Sequence, residues 1–239
     1  MKIAITNQKG GVGKTTTAVN LAGALAQEGR RTLLIDLDSQ ANATAALGVE
    51  VDDASVRELI SEDQIDPYPT TMDNLLVLPA TVDLAGAETY LARNPDAQIL
   101  ARATRHYDDA FEFIIFDCPP SLGHLTIAAL TAADYAIIPI EAGIWEMQGL
   151  ARLVQVLDAT DTELLGILLT RYDKRLGISS DTHNQLVKSD LPIFDVKIFE
   201  RVAVKYAAIA RQTILQHDPA SDVAHSYRRL AREVIDHAT

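Results

Sequence analysis

The sequence predicts an α/β fold: a doubly wound, mostly parallel sheet with helices on both faces. Short apolar or β-branched runs recur along the chain, helix-forming stretches fall between them, and a glycine-rich turn joins the first run to the first helix. Strands that alternate with helices build parallel sheets, and strands buried on both faces read as continuous apolar runs. Such sheets hold ligands at the carboxyl ends of their strands.

Ile3–Thr6 is the first strand. The turn Lys9-Gly10-Gly11-Val12-Gly13-Lys14-Thr15-Thr16-Thr17 follows, and a helix is expected over 15–28. Thr32–Ile35, Leu75–Leu78, Phe113–Phe116, Tyr135–Ile140 and Leu164–Leu169 complete six strands. Helices are expected over 83–92, 96–107, 124–132, 146–158 and 222–237. The segment from Val49 to Asn74 is acidic, carries Pro67 and Pro69 and has weak periodicity, so it is an excursion rather than a linker. A chain of 239 residues, 48% hydrophobic, fits one domain over 1–239 and fills a sizeable core.

Composition narrows the function. No apolar run approaches the roughly 20 residues that span a bilayer, and lysines interrupt the N-terminal apolar stretch where a signal peptide would lie. Cys118 is the only cysteine, which excludes an intrachain disulfide and any cysteine-based metal cage. A cytoplasmic protein is expected. The net charge is −12, with residues 1–170 summing to −14 and residues 171–239 to +2. Acidity on this scale argues against nucleic-acid binding by the whole surface and leaves the C-terminal third as the basic face. The excess of 22 Asp over 11 Glu and of 14 Arg over 7 Lys resembles proteins of salt-loving organisms.

The turn after the first strand carries the chemistry. Glycines admit positive φ and let successive N–H groups approach a ligand, while the following helix aims its positive end at the same point. Gly10, Gly11, Val12, Gly13, Lys14, Thr15 and Thr16 thus form a cradle for nucleotide phosphates. Lys14 reaches the outer phosphates and the Thr15 hydroxyl takes a place on Mg²⁺. Asp36 and Asp38, two apart at the end of the second strand, face the same way, toward this loop. Asp117 ends the strand Phe113–Phe116, where a carboxylate holds Mg²⁺ through its water shell. Cys118 beside it reads as a small buried residue.

With Lys9 five residues before Lys14, KGGVGKTT resembles the deviant Walker A motif of the ParA/MinD ATPases, a branch of the P-loop NTPases. Asp36-Leu37-Asp38-Ser39-Gln40-Ala41-Asn42 resembles the family's switch I, with Ser39 and Ala41 where the family usually has Pro and Gly. Phe113–Ser121 resembles its Walker B and switch II. The resemblance implies that Lys9 reaches across a nucleotide-sandwich homodimer to the partner's phosphates; without it, a solvated lysine explains the position. It also implies that Asp38 polarises the attacking water and that Asp36 supports Mg²⁺ through water. Asp218 and Pro219, before the last helix, match a loop that packs beside the adenine; Asp-Pro is equally a common turn.

The last helix carries Arg228, Arg229 and Arg232. Its Leu230–Val234 stretch is similar to one that bears a DNA-contacting basic residue in family members that bind duplexes without sequence preference. A second such position lies near Arg201-Val202-Ala203-Val204-Lys205, where the family's arginine aligns with Ala203, and Arg201 and Lys205 supply charge from neighbouring positions. Arg171, Lys174 and Arg175 extend the patch. A solvated basic helix face accounts for the same residues. Taken whole, the resemblance implies a small ParA-type partition ATPase that uses ATP and Mg²⁺, hydrolyses slowly, dimerises with ATP and binds double-stranded DNA. A ParB-type centromere-binding partner would stimulate it, and it would associate with the nucleoid when ATP-bound. The chain starts one residue before its first strand, so no operator-reading extension is expected. A MinD-like membrane-positioning role needs a basic amphipathic tail, and Glu233–Thr239 offers little apolar area or charge for stable insertion. A metallocluster relative needs more cysteines.

Overall fold

A parallel β-sheet of eight strands among the described residues forms the centre of the computed structural model, which describes residues 1–51, 55–61, 65–141, 147–173 and 175–238. In chain order the elements are β1 (Lys2–Ile5), α1 (Lys14–Gln27), β2 (Thr32–Asp36), α2 (Asn42–Ala46), α3 (Val56–Leu59), β3 (Tyr68–Pro69), β4 (Leu75–Leu78), α4 (Leu84–Arg93), α5 (Ile99–Ala103), β5 (Phe113–Asp117) and α6 (His124–Ala132). They continue with β6 (Tyr135–Glu141), α7 (Met147–Thr160), β7 (Glu163–Tyr172), α8 (Gly177–Val187), β8 (Ile193–Phe199), α9 (Val202–Ile209), α10 (Ile214–His217) and α11 (Asp222–His237). The strand order is β3-β4-β2-β5-β1-β6-β7-β8, and only the short edge strand β3 runs antiparallel.

β1 lies at the centre because Ile3, Ala4 and Ile5 are fully buried and meet helices on both faces. One face packs on α1, α10 and α11 through residues such as Leu21, Leu25, Leu215, Tyr227 and Leu230. The other packs on α4 to α7 through Leu84, Leu91, Leu125 and Leu153. α1 is buried nearly all round, Ala18, Val19, Leu21, Ala22, Ala24 and Leu25 included, because it lies between the sheet and α11. Each fully buried leucine is worth about 1.5–3 kcal/mol relative to exposure, so this face anchors the loop that precedes α1.

All six expected strands are present, and β8 and β3 are additions. In β8, Phe194, Val196 and Ile198 are buried while Asp195 between them is exposed. That period of two marks an edge strand with one solvated face, and a search for continuous apolar runs passes over it. The helix expected over 96–107 is broken: α5 ends at Ala103, and a single 3₁₀ turn spans Arg105–Tyr107. The Thr104 hydroxyl bonds back to the Leu100 carbonyl at 2.7 Å, and such back-bonding competes with helix continuation. Within the acidic excursion, Ser55 and Glu58 form a capping box that starts α3.

Candidate active site

The loop from Thr6 to Gly13 leaves the carboxyl end of β1 and turns into α1 with Gly11 at φ 77° and Gly13 at φ 90°. Gly13 is the N-cap, no side chain caps α1, and its first turn has no acidic residue. The orphan N–H donors and positive dipole end of the helix are therefore left for an anion. Long-range hydrogen bonds fix the loop. The Thr170 hydroxyl at the end of β7 reaches the Val12 carbonyl at 2.7 Å and the Ile140 carbonyl at 3.1 Å. Asn7 donates to the Pro139 carbonyl at 2.8 Å and accepts the Lys9 amide at 3.0 Å.

Lys14 is 7% exposed, and its ammonium donates to the Lys9 carbonyl at 3.1 Å. Burial pulls its pKa down, and the negative field of Asp117 pulls the other way. A buried cation held by one carbonyl is a strong site for phosphate oxygens. Lys9 itself is half exposed, with its ammonium 3.8 Å from Glu141 Oε2.

β2 and β5 bring two carboxylates side by side, since Asp36 and Asp117 are Cα partners across the sheet and both are fully buried. Asp36 is saturated. Its Oδ2 accepts the Thr44 amide at 2.9 Å and hydroxyl at 2.8 Å, and its Oδ1 accepts the Asp38 amide at 3.1 Å. Burial still pushes its carboxyl up to about 6. Asp117 differs: neither of its carboxylate oxygens has a hydrogen-bond partner within 3.5 Å. Burial first, then the neighbouring Asp36, raises its pKa well above the usual carboxylate range, and the Thr15 side chain eases this only in part. An orphaned buried carboxylate beside Thr15 and Lys14 suits a divalent cation: Mg²⁺ takes one or two carboxylates, keeps several waters and adds substrate phosphates.

These parts surround a 510 Å³ cavity, within the usual range of ligand sites. Gly10, Gly11, Gly13, Lys14, Thr15 and Thr16 form its floor; Asp38, Gln40 and Asn42 one wall; Val204, Ala207, Ala208 and Gln212 another. A second recess of 330 Å³ continues past Gly11, Gly13 and Thr16, bounded by Ile198, Phe199, Arg171 and Arg201. Asp38 is half-buried, and its Oδ1 accepts the Gln40 amide at 3.0 Å. The structure thus brings Lys14, Thr15, Thr16 and Asp38 into one cavity, with Asp117 behind Thr15. Val12 contributes its carbonyl to the Thr170 bond and is itself buried. Asp36 works through Thr44, and Thr44 Oγ1 also accepts the Ala80 amide at 3.0 Å. Asp218 and Pro219 line neither cavity: they form the turn into α11, where their carbonyls take the Ser221 hydroxyl and the Arg228 guanidinium.

Three functional residues escaped the sequence reading: Thr170, Thr44 and Asn20. Asn20 lines the cavity and ties α1 to α10 by accepting the Ile214 amide at 2.8 Å. Thr44 was legible as a hydroxyl eight residues after Asp36. Thr170 had no local signal, because its partners are 158 and 30 residues away.

The basic residues gather around α11 and the start of α9. Val223, Tyr227, Leu230 and Val234 are buried, while Arg229 and Arg232 face solvent and Arg228 is half-buried. Lys205 is exposed on α9. Arg201 is paired through both Nε and Nη2 with Asp222, and Arg232 Nε lies 3.1 Å from Glu28 Oε1. Arg228 donates to Gln27 and to the Pro219 carbonyl. Arg171 pairs with Glu141 and Glu200, and Arg175 with Asp173. Lys174 lies outside the described residues. No helix among the described residues is long and apolar enough to cross a membrane.

A family model described as an AAA domain matches residues 1–168. The chain is 41% identical to the chromosome-partitioning ATPase Soj of Thermus thermophilus, an alignment that covers 98% of this chain and 95% of the relative. It is 40% identical to the sporulation initiation inhibitor protein Soj of Bacillus subtilis, over 97% of each. Among solved structures it superposes with a TM-score of 0.85 and 33% identity on a Mycobacterium smegmatis protein titled cobyrinic acid a,c-diamide synthase, with bound ADP and magnesium. That match covers 99% of this chain and 94% of the other.

Proposed function

The chain belongs to the ParA/MinD family of partition ATPases, and we propose that, across a single domain over 1–239, its ATP-bound homodimer binds duplex DNA without sequence preference and is released by a ParB-type partner. It is a ParA-type ATP hydrolase that uses ATP and Mg²⁺. The observation that carries the site assignment is the orphaned Asp117 carboxylate beside Thr15 and Lys14, at the uncapped start of α1. The role in partition rests on relatives near 40% identity over nearly the full chain.

The loop amides and Lys14 hold the phosphates; Thr15 and Asp117 would hold magnesium, which would supply positive charge against the phosphate oxygens. Asp38 lies at the cavity wall and orients the attacking water. The base fits the smaller recess, between Ile198, Phe199 and Val204. Among the described residues no arginine lines the larger cavity, so transition-state charge there is met by Lys14 and by a group from outside the protomer. Lys9, half exposed with its ammonium 3.8 Å from Glu141 Oε2, is the group offered to a dimer mate. Slow hydrolysis with partner-supplied acceleration follows.

DNA contact uses Arg201, Lys205, Arg228, Arg229 and Arg232. Contact through phosphates is independent of sequence and weakens steeply with salt. An Asp-rich surface suits a salty cytoplasm, where a patch with a sum near +2 needs the doubling that dimerisation brings. Nucleoid association then tracks the ATP state, on chromosomal or plasmid DNA.

The test is binding to an arbitrary duplex with ATP, ADP or no nucleotide across a salt titration, for wild type and Asp38→Ala. ATP-dependent binding that is stronger in the variant and indifferent to sequence is expected. ATP-driven dimerisation with no duplex binding at any salt would move the protein to a positioning ATPase on a protein or membrane surface.

A further inference from the structure

Two arginines of the basic face are already occupied by carboxylates of the same chain, and the placement of those acids calls for a physical account. Glu28 is the C-cap of α1, at the negative end of the helix dipole, where a carboxylate is disfavoured. Its Oε1 lies 3.1 Å from Arg232 Nε, and the side chains are 33% and 64% exposed. Asp222, the first residue of α11, meets Arg201 through both oxygens, and the same guanidinium donates to the Glu200 carbonyl at 2.8 Å. A guanidinium that grips two oxygens in a fork is making the contact it would make with a phosphate.

We propose that Glu28 and Asp222 are internal competitors for DNA phosphate: they hold Arg232 and Arg201 when no duplex is present and set how tightly, and up to what salt, the face grips DNA. This rests on the DNA-binding reading above. Exposed ion pairs are worth about 0–1 kcal/mol, so a phosphate displaces either carboxylate easily. The freed carboxylate then stays within a few ångströms of the phosphate and recruits a cation from solution. Each exchange therefore yields weaker binding and less net counterion release than an unoccupied arginine would. A face of this kind binds loosely and lets go readily, which suits a protein that must leave DNA once each hydrolysis cycle ends.

The experiment is fluorescence anisotropy with a labelled duplex of arbitrary sequence, Mg²⁺ and ATP, across a salt titration of the full chain. Wild type, Glu28→Gln, Arg232→Ala and the double variant form one cycle; Asp222→Asn and Arg201→Ala form a second, independent one. Glu28→Gln should bind about two- to five-fold tighter per protomer, the equivalent of an exposed pair. Its log affinity should fall more steeply with log salt, by up to about 0.9 per phosphate contact. Most of that gain should vanish in the Arg232→Ala background, and the Asp222 gain in the Arg201→Ala background. A gain that persists without the arginine is a bulk charge effect and overturns the proposal. So does wild-type binding that neither acid substitution changes, which leaves the DNA reading standing. No duplex binding by wild type or any variant overturns both.

Discussion

Asp117→Asn should stabilise the nucleotide-free protein while removing magnesium-dependent hydrolysis. The carboxylate is fully buried, has no hydrogen-bond partner on either oxygen and faces Asp36 across the sheet. A buried group left unsatisfied costs about 1–3 kcal/mol, and more when charged. The isosteric amide removes the charge and the repulsion but remains polar, so a gain of about 2 kcal/mol is expected, equivalent to about 4–8 °C in Tm for a chain of this size. The pH dependence checks the cause. Burial raises the carboxyl's folded pKa, so its contribution to stability is complete below the unfolded pKa of about 4 and is lost as pH rises through the folded value. Asp36, at about 6, adds to the loss in the same direction. The gap between variant and wild type should therefore be small near pH 5 and widen toward pH 8. With Mg²⁺ and ADP the order should reverse, because a ligand at 100 times its Kd adds about 2.7 kcal/mol to the protein that binds it. Scanning calorimetry at pH 5, 6.5 and 8, with and without Mg²⁺ and ADP, reads all three effects. A variant less stable than wild type at pH 8, or a gap that does not change with pH, would refute the argument that Asp117 is a buried acid only partly compensated by Thr15 and Lys14.

Two further substitutions probe the frame around the site. Thr170→Val keeps the side-chain shape but strips the hydroxyl that reaches the Val12 and Ile140 carbonyls, so ADP affinity by titration calorimetry should fall about tenfold, the equivalent of 1.4 kcal/mol; unchanged affinity would remove Thr170 from a positioning role. Ala41 sits at φ 52° in the turn that presents Asp38, a conformation that glycine adopts freely and β-branched residues resist. In urea unfolding, Ala41→Gly should match or slightly exceed wild type, and Ala41→Val should lose about 1–2 kcal/mol. Equal stability of the valine variant would mean that the turn is not left-handed in solution.

The sequence disclosed those parts of the site whose signal is contained in a short stretch around each residue. The loop from Lys9 to Thr17 carries its own turn chemistry, and Asp36 and Asp117 announce themselves as acids that close apolar runs, TLLID and FIIFD. What it could not disclose is set by long-range pairing. Thr170 matters because β7 ends beside β6 and the loop, and no local pattern encodes that. Asp218 and Pro219, matched by their position before α11, form the turn into that helix and line neither cavity. One wall of the cavity comes from α9, whose apolar, alanine-rich stretch carries no local sign of a ligand. The charge count also hid a structural fact: a region with a sum of +2 is not a bare cationic patch, since Arg171, Arg175, Arg201 and Arg232 each have a carboxylate against them.

α9 links the nucleotide to the basic face without a relay. Val204, Ala207 and Ala208 of this eight-residue helix line the cavity, while Arg201 caps its start and Lys205 projects from it. α2, which begins just after Asp38 and is bonded through Thr44 to Asp36, packs against the same helix. At the far end of α9, Arg211 reaches Glu50 at 3.3 Å, and its Cβ would lie 3.3 Å from a Cβ placed on Gly48, so that corner has little room to move. The helix that walls the cavity thus also presents Arg201 and Lys205 of the basic face. ATP and ADP differ by one phosphoryl group, and Asp38 and the nearby α2 are parts of the cavity wall, of which α2 also packs toward α9. A ligand shifts an equilibrium only by its differential contact with the two states, and this geometry supplies such a contact within one helix diameter.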